Sequence, residues 1–178
     1  MKFWDDIKIY FYRRRLEQDT GLVKVEHALI SLEGAHTMGI IFTATNPILD
    51  EAILKFAGRL RSEGKEVELL AYVNDKKTES KPGITVFNRK HLNWVDVPQN
   101  EQVEKFTRKK FDLLLACFTG DNLPLEYIAG VSNARWRVGI YAENKTGLYD
   151  MMVNMGGRKD LAYFLEQTAY FLNYIKAA

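Results

Sequence analysis

Met38-Gly39-Ile40-Ile41-Phe42-Thr43 and, further on, Glu66-Val67-Glu68-Leu69-Leu70-Ala71-Tyr72-Val73 are the two runs whose reading decides the fold. The first is nearly all apolar, the pattern of a strand covered on both faces. Between them Asn46 offers an N-cap, and Pro47 suits a first helical turn, where its missing N–H costs nothing. Ile48, Ala52, Leu54 to Phe56 and Leu60 then form an apolar stripe that ends at Gly64. Strand, helix and strand so closely spaced make a βαβ unit, whose crossover is right-handed.

Working outward, Ile84-Thr85-Val86-Phe87 reads as a short strand near an edge, and Pro98 opens a helix through Val103 and Phe106 to Lys110. Asp112-Leu-Leu-Leu-Ala-Cys-Phe118 is a second buried strand, followed by a helix over 123–134 and a strand over 137–141. The run Tyr149–Val153 follows after residues 142–148 alone. Parallel neighbours need a longer crossover, so this strand is expected to pair antiparallel or irregularly at an edge. A long helix from Arg158 repeats Leu161, Phe164, Leu165, Thr168, Phe171, Leu172 and Ile175. At the other end, residues 2–18 read as a helix with Phe3, Ile7, Tyr10 and Phe11 on one apolar face. Arg13, Arg14 and Arg15 follow, and Thr20-Gly21 is the expected terminator. This helix is expected to cover one side of the sheet or to meet a partner subunit. Residues 22–37 show no readable period.

The expectation is therefore an α/β, three-layer Rossmann-like sandwich, mainly parallel, with an N-terminal helix. One domain over 1–178 accommodates it: helix and irregular extension over 1–34, core over 35–178. A composition with 47% apolar and 27% charged residues excludes disordered, collagen-like and disulfide-stapled chains. No apolar run is long enough to span a bilayer, and Asp5 and Asp6 fall where a signal peptide needs apolar residues. The single cysteine, Cys117, fits a reducing cytoplasm.

The net charge of +2 hides an uneven distribution. Residues 55–110 carry 13 Lys/Arg against 8 Asp/Glu, whereas residues 25–54 carry four acids and no Lys or Arg. The basic residues lie on several elements rather than in one stripe, so nucleic-acid binding through 55–110 is the weaker reading and a solvated surface the stronger.

In sheets of this kind ligands bind beyond the carboxyl ends of the strands, where strand order reverses. That directs attention to Thr43-Ala44-Thr45-Asn46 and to Thr119-Gly120-Asp121-Asn122, with Thr43, Thr45, Asn46, Thr119, Asp121 and Asn122 as candidate ligand-binding residues. The first loop lacks the glycines of a dinucleotide fingerprint, and Asp50 and Glu51 would repel a phosphate. In the second, Asp121 and Asn122 are suited to cap a helix, with Glu126 at capping-box range. His27, His36 and His91 share no metal-ligand spacing with Cys117, and Cys117 itself reads as a buried thiol. No nucleophile elbow, Walker loop or cofactor fingerprint is present. Asn93-Trp94 is either a contact surface or a lid over the core. Arg135, Arg137 and Lys145 bracket a strand, in the manner of an exposed edge. Tyr163, Tyr170 and Tyr174, or the N-terminal helix, are candidate oligomer or partner faces; the helix's acids argue against a membrane surface.

Joined together, these segments resemble a family of short, uncharacterised Bacteroidota proteins classed as a domain of unknown function. The matching stretches begin at Gly39 (Gly-Ile-Ile-Phe-Thr-Ala-Thr), Glu63 (Glu-Gly-Lys-Glu-Val), His91 (His-Leu-Asn-Trp), Phe111 (Phe-Asp-Leu-Leu-Leu), Asn122 (Asn-Leu-Pro-Leu-Glu-Tyr-Ile) and Tyr149 (Tyr-Asp-Met-Met). That resemblance covers nearly the whole chain and implies no activity. Residues 111–140, from Phe111-Asp-Leu-Leu-Leu to Ala134-Arg-Trp-Arg-Val-Gly-Ile, are also similar to the acceptor-side, N-terminal half of heptosyltransferase-type glycosyltransferases. The length leaves no room for the nucleotide-sugar half of such an enzyme. The preferred expectation is a cytoplasmic α/β binding or interaction module without a self-contained catalytic constellation. The alternative is a nucleotide- or nucleotide-sugar-binding relative.

Overall fold

The computed structural model describes residues 2–174 except 45–49 and 78–80. Six strands form one sheet: β1 (Thr37–Ala44), β2 (Glu66–Val73), β3 (Thr85–Asn88), β4 (Phe111–Cys117), β5 (Ala134–Ile140) and β6 (Met151–Val153). Their order is β3-β2-β1-β4-β5-β6, and all neighbours pair parallel. The helices are α1 (Lys2–Leu22), α2 (Glu51–Ser62), α3 (Glu101–Arg108), α4 (Leu123–Val131) and α5 (Leu161–Tyr174).

Alternation along the strands divides the core in two. Met38, Ile40 and Phe42 of β1 face α2 and α5 together with Leu113, Leu115 and Cys117 of β4. Ile41, Leu114 and Ala116 face α3 and α4. Two-sided burial is what the unbroken apolar runs of β1 and β4 announce. α2 turns Ile53, Phe56, Ala57 and Leu60 into the first layer, and α3 turns Val103 and Phe106 into the second.

Several boundaries differ from the expectation. β6 pairs parallel, not antiparallel. It is only three residues long and matches Val138–Ile140, so the chain has a short distance to return and residues 141–150 suffice. α2 starts at Glu51, where Asp50 accepts hydrogen bonds from Ala52 N (2.9 Å) and Ile53 N (3.3 Å). The expected cap Asn46, with Pro47 and Ile48, lies outside the described residues, as does Ile175. β5 begins three residues early, at Ala134, and α5 three residues late, at Leu161.

α1 passes through Thr20-Gly21 to Leu22. It does not cover the sheet but packs on the outside of α4, as a further layer. Its expected apolar face is mostly in solvent, with Phe3, Tyr10 and Phe11 exposed. The anchor is Tyr12, buried against Val95, Val97, Leu123 and Tyr127, with its hydroxyl donating to Leu123 O (2.8 Å). Residues 23–36 then carry the chain from α1 to the opposite layer. Ala28 N donates to Arg135 O and Leu32 N to Leu172 O, and Ile30, Leu32 and Ala35 enter the α2–α5 core.

Asp112 ties this segment to the sheet. Its carboxylate accepts from His36 N (2.9 Å), Thr37 N (3.0 Å) and Thr37 Oγ1 (3.1 Å), and Arg135 Nη1 lies 3.4 Å away. Burial pushes its pKa up, but the backbone bonds from Thr37 and His36, then the Thr37 hydroxyl and Arg135, outweigh burial and hold it below the ordinary aspartate value. A depressed folded-state pKa gives stability that is present above the unfolded value and lost as pH falls through the folded one. Asp112→Asn is therefore expected to lower stability at neutral pH and to flatten its acid dependence; parallel wild-type and variant urea midpoints from pH 7 to 2 would contradict this. On β5, a Cβ at Gly139 would lie 2.5 Å from Tyr149 Cε2. Gly139→Ala is expected to destabilise by about 1–3 kcal/mol through overpacking, read by chemical denaturation.

Candidate functional site

β1 and β4 lie side by side with Phe42 opposite Cys117, and strand order runs outward from them in both directions. The chain therefore leaves their carboxyl ends at the place where an open α/β sheet presents a crevice. Thr43 is exposed at the end of β1. Thr45 and Asn46 lie outside the described residues. Thr119 and Asp121 are exposed beyond β4, Asp121 at 77% of its side chain.

Asn122 is committed to structure. Its Oδ1 accepts from Leu125 N (3.1 Å), and its own N–H donates to Glu126 Oε1 (2.9 Å), the reciprocal capping that its spacing predicts. Glu126 in turn meets Lys145. The Lys145 side chain is only 7% exposed, and its Nζ donates to Gly120 O (2.7 Å) and pairs with Glu126 Oε1 (2.8 Å) and Asp121 Oδ1 (3.3 Å). Gly120, at φ +74°, turns its carbonyl toward this ammonium. Lys145 is thus a buried staple for the β4–α4 loop, not part of an exposed edge. The open space here, between Phe118, Ile140, Tyr141, Lys145 and Tyr149, is about 70 Å³. Small-molecule sites run to hundreds of Å³, so this gap holds a few waters at most.

The other residues read from sequence do not converge. His91 Nδ1 accepts from Asn88 N in a short 3-10 turn, and His27 Nδ1 lies 3.0 Å from Asp150 Oδ1. Asp150 also accepts from Arg137 N (2.8 Å), and Arg137 is largely buried. Of the three cations bracketing this strand, Arg137 and Lys145 are therefore largely buried among their partners, whereas Arg135 is half exposed. No group of three His, Cys, Asp or Glu among the described residues could hold a metal ion. Cys117 is wholly buried, and burial pushes its thiol pKa up, away from thiolate chemistry.

The basic residues of 55–110 are spread over α2, α3, the turn at 89–91 and the connecting loops, and α2 and α3 lie on opposite faces of the sheet. Lys55, Arg59, Lys105 and Arg108 each pair with a glutamate one turn away. Tyr170 and Tyr174 stack with ring centres 4.7 Å apart in solvent, whereas Tyr163 is partly buried under Arg158.

A groove of about 1030 Å³ lies elsewhere, between α1, α3 and the turn over residues 93–99, with α4 as its floor. Phe11, Arg14 and Arg15 form one wall and Thr107 and Arg108 the other, above Tyr127. Tyr127 OH donates to Asp19, which also accepts from Arg15 Nε (2.6 Å). Burial, then the bond to Asp19, pushes the Tyr127 pKa up to about 12. Trp94 stands at the mouth, 65% exposed, with its ring 5.5 Å from that of Phe11. It is exposed and is not a lid over the core. Periodicity does not reveal this groove because it joins segments that are far apart in the chain, and the Asn93-Trp94 pair is its one trace in the sequence.

The model of a family described as "Family of unknown function (DUF6913)" matches residues 8–175. No curated protein matches the sequence. Among solved structures, the chain is similar to an exopolyphosphatase-related protein from Bacteroides fragilis, at 13% identity and a TM-score of 0.51. That likeness covers 80% of this chain and 42% of the other, so this chain spans less than half of its neighbour's length. At such identity it shows the fold alone. No helix among the described residues is long and apolar enough to cross a membrane.

Removing one partner of a buried ion pair leaves the other charge uncompensated. Lys145→Met is expected to lower the unfolding free energy by about 3 kcal/mol, and adding Glu126→Gln to restore part of the loss. Urea melts of the two variants check this; an unchanged midpoint for Lys145→Met would remove the staple role.

Proposed function

The chain belongs to this family of unknown function, and we propose that it serves as a non-catalytic binding module whose working surface is the groove between α1, α3 and the 93–99 turn. One contrast carries the reading. Beyond β4 and β5, Asn122, Glu126, Lys145 and the Gly120 carbonyl are engaged with one another, and the space between Gly120, Tyr141 and Lys145 is about 70 Å³. The α1 groove is more than ten times larger and is lined by exposed cationic and aromatic side chains. A catalytic site needs polar groups left open to substrate, and the side chains that close the β4–α4 loop are already spent. The lone, buried Cys117 supports placing the protein in a reducing compartment, the bacterial cytoplasm.

A second reading keeps a specific observation in its favour. The order 3-2-1-4-5-6 reverses between β1 and β4, and Thr43, Thr119 and Asp121 are exposed beside that point. Their hydroxyls and carboxylate would be the groups that meet a nucleotide or nucleotide-sugar there.

Ligand binding to the native state raises the melting temperature by mass action, about 2.7 kcal/mol at a hundredfold excess over Kd. A thermal-shift panel of nucleoside mono-, di- and triphosphates and nucleotide-sugars at millimolar concentration is expected to leave the midpoint unchanged. A rise of several degrees that Asp121→Ala or Thr43→Val abolishes would establish the crevice reading instead.

A further inference from the structure

Two features of the groove say what it is built to hold. The first is rigidity. The turn that displays Trp94 is over-determined: Asn93 Oδ1 accepts from Val95 N and Val97 N, both at 3.0 Å, and Asn93 N donates to Val97 O (2.9 Å). Asp96 sits there at φ +62°, the sole non-glycine with positive φ among the described residues, and its carboxylate is held by Lys8 of α1 at 2.6 Å. Strained backbone persists only where its surroundings enforce it, and it is concentrated at functional surfaces. Here the enforced turn holds a large aromatic ring out in water. Tyr12 and Tyr127, bonded to Leu123 O and Asp19, lock α1 onto α4, so the walls are preformed as well. A preorganised aromatic projection loses little conformational entropy on binding, as interface anchors require.

The second feature is charge. Arg15 is neutralised by Asp19 and Arg108 by Glu104 (3.3 Å). Arg14 reaches only the Tyr10 hydroxyl (3.3 Å), and neither it nor Lys24 pairs with a carboxylate among the described residues. The groove thus carries surplus positive charge. Its remaining lining mixes apolar side chains, with Phe11, Leu22 and Trp94 the exposed ones, and polar side chains such as Gln18, Gln99 and Asn133.

We infer that the groove docks an acidic, amphipathic peptide segment of a partner protein, with apolar side chains against Trp94 and Phe11 and carboxylates against Arg14 and Lys24. The inference rests on the binding-module reading above and adds the class of partner. A polypeptide suits the site better than a single strand of nucleic acid. Strand binders combine a continuous basic track with open aromatic faces for stacked bases. Here Asp19 and Glu104 interrupt the basic track on both walls, and Trp94 already meets Phe11 edge-on. A peptide can place its charges selectively and seat apolar side chains on the exposed Phe11, Leu22 and Trp94.

The test is selection of a phage-displayed library of random dodecapeptides on the full chain, followed by fluorescence anisotropy of the enriched peptides. A labelled oligothymidylate is titrated in parallel. The expected result is enrichment of Asp/Glu interleaved with Leu, Ile or Phe. Trp94→Ala, and separately Arg14→Glu with Lys24→Glu, are expected to weaken these peptides at least tenfold, a loss typical of anchor positions. All three positions are exposed groove residues, so unchanged urea midpoints confirm that the variants fold. Enrichment of neutral or basic peptides, affinity indifferent to both variants, or no enrichment overturns the inference. So does tight, salt-sensitive oligothymidylate binding that Arg14→Glu abolishes, or a concentration-dependent dimer that Trp94→Ala dissociates. None of those outcomes makes the nucleotide panel respond, whereas a nucleotide response overturns the reading beneath.

Discussion

β1 and β4 pair at the centre of the sheet with no face left to water, and that constraint organises the rest of the molecule. A parallel strand covered on both sides needs a helical layer on each. α2 and α5 supply one, α3 and α4 the other, and the crossovers that carry them produce the order 3-2-1-4-5-6. Because α4 then presents its outer side to solvent, α1 has a surface to occupy. Tyr12 secures it there, and the groove between α1 and α3 exists because α1 is shifted off the sheet.

What was legible in the chain was what local periodicity encodes. The runs at 38–43, 66–73 and 112–118 gave the buried strands, and the Asn122–Glu126 spacing gave the cap of α4. Periodicity misled at α1, where Phe3, Ile7, Tyr10 and Phe11 share a face that is mostly solvent-exposed, while the buried Tyr12 stands outside that stripe. It misleads at β6 because a connection too short to return along a full strand is long enough for one of three residues. Residues 23–36 were opaque because their burial follows the underside of the sheet and has no period of its own.

The candidate site shows the same division. Thr43, Thr119 and Asp121 lie at the carboxyl edge of the sheet, a position that topology alone dictates and that a sequence of alternating elements reveals. Lys145 and Asp112 were missed because each acts on groups distant in sequence: Lys145 on Gly120 and Glu126, Asp112 on His36 and Thr37. Both look like ordinary surface charges until tertiary structure supplies the partner. The groove was missed for that reason too, since Arg14, Trp94 and Arg108 come from three separate elements.

The central claim is that binding takes place under α1 and not at the carboxyl edge of the sheet. Backbone amide chemical-shift mapping during titration with a selected acidic peptide tests it most directly. Perturbations are expected to concentrate in residues 10–24, 93–99 and 103–108, with the amides of Thr43 and Thr119–Asn122 unmoved. Perturbations centred on Thr43 and Thr119–Asn122, with Trp94 and Arg14 silent, would contradict it.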